Sequence, residues 1–184
     1  MKKCFLIILF SIIGISLVFS GDIIAEKNVT MLSVSGSYSS LGGDLFADAE
    51  DNSLTIMQFS PTINHFVMPN IYVGLGLDMM SMSQGDLDYS STSVGINAGY
   101  VFKGYVEKIY PYLGVGYRMV SADDVSGNDM FIGAGAIIPA AEKVGLTLDI
   151  GYHFDSMEID GVDGTFSGNR ISLGIGIAGF LQLL

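Results

Sequence analysis

The residue types best suited to chemistry stand close together late in the chain. His153, Asp155 and Ser156 bring a base, a carboxylate and a hydroxyl into one short stretch. Nucleophilic catalysis needs the base within hydrogen-bond reach of the hydroxyl, and a third group to orient the base. The stretch alternates like a strand, which turns positions 153 and 156 to opposite faces, so this set does not converge. Gly174-Ile175-Gly176-Ile177-Ala178-Gly179 spells the dinucleotide-binding G-x-G-x-x-G, but inside a strand pattern rather than between a strand and a helix. With no catalytic set and no cofactor site, the expectation is a protein that is not an enzyme. Clustered carboxylates offer a third chemistry, the binding of divalent cations through oxygen. Asp123 and Asp124 with Asp129, and Asp160 with Asp163, are the best clusters, and neither has EF-hand spacing. A last group, Asp78, Asn97, Arg118, Asp149, His153 and Asp155, is scattered through segments that are otherwise apolar or glycine-rich.

The elements that must position these residues are strands. Apolar and small or polar residues alternate with period 2 through segments 30–38, 71–79, 93–102, 109–119, 144–154 and 171–181, and more weakly through 54–66 and 130–138. In 144–154, for example, Leu146, Leu148, Ile150 and Tyr152 alternate with Thr147, Asp149, Gly151 and His153. Each segment is long enough to cross a bilayer at a tilt, for which about 9–11 residues are needed. The connections alternate too. Residues 67–70, 103–108 and 139–143 read as short turns, and 41–53, 83–92, 121–129 and 157–167 as long loops. This is the pattern of periplasmic turns and extracellular loops.

The chain opens Met1-Lys2-Lys3 and then runs apolar from Cys4 to Phe19. A short positive start, an apolar stretch and small residues at its end form a secretory signal peptide. The expected division is residues 1–20 as signal peptide and 21–184 as a single barrel domain, with a second candidate cut after Ala25. Cleavage removes the single cysteine, so the mature part has no thiol chemistry and no disulfide. It also removes two lysines, taking the formal charge from −11 to −13. So acidic a chain excludes nucleic acid as a partner, because that requires basic patches.

Alternation alone does not say which face is inside. The polar face is made of Gly, Ser, Asn and Thr with few ionisable groups, whereas a soluble exterior carries many Lys and Glu. Aromatic residues gather near the short turns: Phe66, Tyr72, Tyr100, Phe102, Tyr105, Tyr110 and Tyr112. Read as an interfacial girdle, they join the first point in turning the apolar face outward to lipid. The glycines, Gly74, Gly95, Gly116 and Gly151 among them, then fall on the inward face, where an eight-stranded barrel has little room. Asp78, Asn97, Arg118, Asp149, His153 and Asp155 share that face. Arg118 reads as its sole Arg or Lys, with Asp78, Asp149 and Asp155 as candidate partners. A buried charge is costly unless paired, so the group is expected to plug the lumen rather than open a pore.

On these residues the chain resembles the small outer-membrane barrels of the OmpA/OmpX type. The likeness runs through Phe59-Ser60-Pro61, Phe66-Val67-Met68-Pro69-Asn70-Ile71-Tyr72-Val73-Gly74, Ile109-Tyr110-Pro111-Tyr112-Leu113-Gly114 and the turn Pro139-Ala140-Ala141-Glu142-Lys143. The resemblance implies an all-β, eight-stranded antiparallel up-and-down transmembrane barrel in the bacterial outer membrane. It implies contact with outer-membrane lipids, and with periplasmic chaperones and the barrel-assembly machinery during biogenesis. The expected role is structural or surface-interacting, with a filled lumen and acidic loops facing a basic partner or a divalent cation. A narrow ion or solute channel is the alternative, and an outer-membrane hydrolase a remote one.

Overall fold

The computed structural model describes residues 25–41, 54–102, 109–122 and 124–182. The signal-peptide reading, Tyr105, Asp123 and the whole 42–53 segment lie outside these residues. Eight strands form the fold: β1 (Val29–Leu41), β2 (Leu54–Met68), β3 (Ile71–Gln84), β4 (Leu87–Val101), β5 (Tyr110–Ala122), β6 (Val125–Ala141), β7 (Val144–Ile159) and β8 (Thr165–Gln182). Each pairs antiparallel with its sequence neighbour, and β1 pairs with β8 from Val29↔Gln182 to Gly36↔Ile175, closing the barrel. Closure gives every strand a hydrogen-bonded neighbour on each side, the condition for backbone to cross a hydrocarbon layer.

The two faces are as unlike as the alternation requires. Leu75, Ile96, Val115, Ile132, Leu148 and Leu173 point outward and are exposed, Leu173 by 69% of its surface. Soluble monomers rarely expose so continuous an apolar belt; such a surface marks contact with a partner or a membrane. Inside, glycines make room for rings. The Tyr72 ring lies over Gly99, the Phe131 ring over Gly116 and the Tyr112 ring over Gly135, each where a Cβ would collide with it. Gly99→Val is therefore expected to cost about 1–3 kcal/mol by overpacking. Gly168→Ala, which meets nothing, should stay within about 0.5 kcal/mol. Urea unfolding from lipid vesicles measures both.

Two sequence expectations are corrected here. Residues 83–92 and 121–129 are not long loops. The ladder continues through Ser83↔Asp88 and Gln84↔Leu87 to a turn at Gly85-Asp86, and through Ser121↔Ser126 as far as Ala122↔Val125. Near the hairpin ends both faces are polar, which erases the alternation while the backbone pairing persists. The 157–167 segment likewise shrinks to 160–164, because Glu158 pairs with Thr165. The short turns read at 67–70 and 139–143 are shorter still, at 69–70 and 142–143, with Asn70 and Lys143 at φ 69 and 63. Asn accepts that left-handed backbone readily, Lys less so.

The second correction concerns the aromatic girdle. Tyr100 and Phe102 do face outward, ring centroids 4.9 Å apart. Phe66 and Tyr72 do not. They are buried in the lumen, edge to face at 5.8 Å, with Val29, Met31, Val101, Ile137, Ala178 and Phe180 around them and Tyr110 and Tyr112 packed alongside. Their parity is inward, and proximity to a turn does not override parity. Together they make an apolar plug at the end of the barrel that carries the 69–70 and 142–143 turns.

Candidate functional site

The polar interior is assembled by register. Arg118 on β5 is directly opposite Asp129 on β6, which is opposite Asp155 on β7. His153 on β7 is opposite Arg170 on β8, and Gly151 is opposite Ser172. These residues alternate inward, so each strand crossing adds a charged or polar group to one cluster.

Asp129 is its hub. The residue is 2% exposed, and three cationic or ring groups meet its carboxylate. His153 Nδ1 lies 2.9 Å from Oδ2, Arg170 Nη2 at 3.5 Å and Arg118 Nη1 at 3.8 Å. Arg118 also donates to Asp78 from β3, and its guanidinium sits 4.3 Å above the Phe131 ring. Arg170 in turn reaches Asp155 through Nε at 3.3 Å. His153 is held on its other side, where Nε2 lies 2.9 Å from Ser172 Oγ, and its ring rests against Phe131 at 5.6 Å. Paired, hydrogen-bonded charges are the form in which ions persist in an interior.

The structure sorts the sequence-derived candidates into three places. Asp78, Arg118, His153 and Asp155 meet in the cluster. Asn97 and Asp149 stand apart from it and line a lumen cavity of about 170 Å³, where Thr147 donates to Asp149 at 3.3 Å. The cavity runs from Tyr72 and Ile137 of the plug to Arg118 and His153 of the cluster, past Ser33, Ser60, Thr62 and Asn64. Among the described residues, Asn64 Oδ1, Asp78 Oδ1 and Asn97 Oδ1 are buried without a hydrogen-bond donor, and a polar cavity of this size accommodates water to serve such groups. The carboxylate candidates for a divalent cation are dispersed. Asp129 is in the lumen rather than beside Asp124, while Asp124, Asp160 and Asp163 are exposed at hairpin tips. The tips of β5–β6 and β7–β8 touch, Asp160 N donating to Asp124 O at 2.9 Å. Among the described residues no three His, Cys, Asp or Glu come together as a metal site.

Sequence reasoning missed Asp129, Arg170 and Ser172 as members of this cluster. Asp129 was hidden by the loop reading of 121–129. Arg170 was hidden because the last strand pattern begins at Ile171, and it corrects the expectation that Arg118 is the sole inward cation. The signal was present: extending the parity of Ser172 and Gly174 backward by one step turns Arg170 inward. Ser156 points away from His153, as parity requires, and the hydroxyl that reaches the imidazole comes from the next strand.

No protein-family model matches the chain, and no curated protein matches it in sequence. Solved structures do. The barrel is similar to Neisserial surface protein A (NspA), with a TM-score of 0.60 at 13% identity, over 83% of this chain and 97% of that one. It is also similar to the N-terminal β-barrel domain of Pseudomonas aeruginosa OprF, with a TM-score of 0.54 at 13% identity, over 84% and 98%. The chain therefore has the fold of the small eight-stranded outer-membrane barrels, the class that its sequence resembles.

Proposed function

We propose that this chain is exported, loses its N-terminal segment and becomes an integral outer-membrane protein with a structural or surface-interaction role and no open conduit. The apolar belt supports the location, since only lipid or a partner of equal extent would cover it. The observation that carries the closed reading is the plug. Phe66 and Phe180 are 0% and 1% exposed, and with Tyr72 they fill one end of a barrel too narrow to route solvent around them. Above the cavity the Asp78–Arg118–Asp129–Arg170–Asp155 chain narrows the lumen, with the Arg170 side chain partly exposed at its rim. Interaction then falls to the hairpin tips, where Asp86, Asp124, Asp160 and Asp163 present negative charge to a basic protein patch or, weakly, to Ca²⁺ or Mg²⁺.

Planar-bilayer recording tests the closed reading. Purified wild type is expected to show no steady, resolved conductance. A reproducible unit conductance would replace this reading with the narrow channel, for which the cavity above the plug is the starting segment.

A further inference from the structure

Parity along β7 separates His153 from Ser156, which is why the sequence alone points to a barrel without a catalytic set. Register across β6, β7 and β8 assembles a different one. Asp129 accepts from His153 Nδ1 at 2.9 Å, and His153 Nε2 lies 2.9 Å from Ser172 Oγ. The carboxylate can only accept, which assigns the ring proton to Nδ1 and leaves Nε2 as the free base facing the hydroxyl. Arg170 Nη2 also approaches Nδ1, at 3.2 Å, and finds its acceptors in Asp129 and Asp155. A hydroxyl, a base within reach of it and a group that orients the base are the three parts of an activated nucleophile, recognised by geometry and not by order in the chain.

Two further features fit that role. Gly151, opposite Ser172 and two residues before His153 on β7, lies beside the pair, where a Cβ would come 2.8 Å from Ser172 Oγ and 2.9 Å from His153 Nε2. Any larger residue there would push the hydroxyl or the imidazole from its present position. Ser172 and His153 also line the 170 Å³ cavity, whose lining includes the positive charge of Arg118. Ser33 makes the contrast, since it lines the cavity but its hydroxyl is paired with Thr62 Oγ1 at 2.5 Å and has no base beside it.

We propose that Ser172 is a reactive serine, activated by His153 and oriented through Asp129, that accepts the acyl group of small esters entering the lumen from the hairpin end. In the first step Ser172 Oγ attacks the ester carbonyl while its proton passes to His153 Nε2. The bond from the carbonyl carbon to the leaving oxygen then breaks, and that oxygen departs as the alcohol with the proton from His153. Water, with His153 again as base, releases the acid and restores Ser172. This goes beyond the structural reading and does not depend on whether the barrel conducts.

The probe is p-nitrophenyl acetate, applied to folded full-length protein in lipid vesicles, with nitrophenolate release followed by absorbance and acetylated residues located by peptide mass spectrometry. The expected result is acetylation at Ser172 well ahead of Ser33 and Ser60. Nitrophenolate release should be lost in Ser172→Ala and slowed about 100-fold in His153→Gln, the scale of general-base assistance. Folding of each variant is checked by its heat-modifiable electrophoretic mobility. Should His153→Gln fail to fold, the comparison of wild type with Ser172→Ala, together with Ser33 as the internal standard, still decides. Acetylation of Ser172 no faster than of Ser33, or release unchanged in Ser172→Ala, would overturn the proposal and leave Ser172 as a hydrogen-bond partner of His153 alone.

Discussion

Leu148→Arg is expected to destabilise the folded barrel in a bilayer by about 2–4 kcal/mol, the cost of a guanidinium on the lipid face near the midplane. Leu148 stands between Leu146 and Ile150 in the outward apolar row of β7, paired with Ala136 on one side and Ile175 on the other. Its neighbours on that face offer no polar group to receive the charge. The inward residue next to it, Asp149, shows how much the face matters, because there a carboxylate is hydrogen-bonded by Thr147 and opens on the cavity. Urea titration of refolding into vesicles reads the effect. A neutral Leu148→Arg would mean that the belt is not in contact with lipid.

Asp129→Ala is expected to cost about 3–5 kcal/mol, the penalty for leaving buried charge uncompensated. Three groups lose a partner at once: His153 its 2.9 Å contact, and Arg118 and Arg170 their shared carboxylate. Each arginine keeps one other carboxylate, Asp78 or Asp155, which places the effect toward the lower end of that range. Asp129→Asn retains an acceptor for His153 Nδ1 but not the charge, and should fall between wild type and Asp129→Ala. A loss of less than about 0.5 kcal/mol in Asp129→Ala would mean that the cluster is solvated rather than packed.

The fold was legible because a barrel has only two faces, and period 2 reports both. Ile71 to Met79 and Val144 to Phe154 needed no tertiary information to be read as strands with one lipid-facing edge. What lay beyond the alternation was lost. Residues 121–128 carry mostly small or polar side chains without the alternation of the spanning segments, and the continuing hydrogen-bond ladder leaves no mark in residue type. That error removed Asp129 from the lumen, and with it the hub of the cluster. Phe66 and Tyr72 failed for another reason. A ring near a turn suits an interface and a plug equally, and only its parity chooses between them. The Ser172–His153–Asp129 set could not be read along the chain at all, since its members stand on three strands and meet through register.

The central claim is that the apolar face meets lipid and the polar face a closed interior. The chain contains no tryptophan, so one introduced residue reports on its own surroundings. Leu173→Trp and Ile96→Trp, each made separately and refolded into vesicles of brominated phospholipid, should be strongly quenched, because both positions are more than half exposed on the outer face. Phe131→Trp, in contact with Arg118 and His153 in the lumen, should keep its emission. Quenching of Phe131→Trp with Leu173→Trp and Ile96→Trp unaffected would contradict the account.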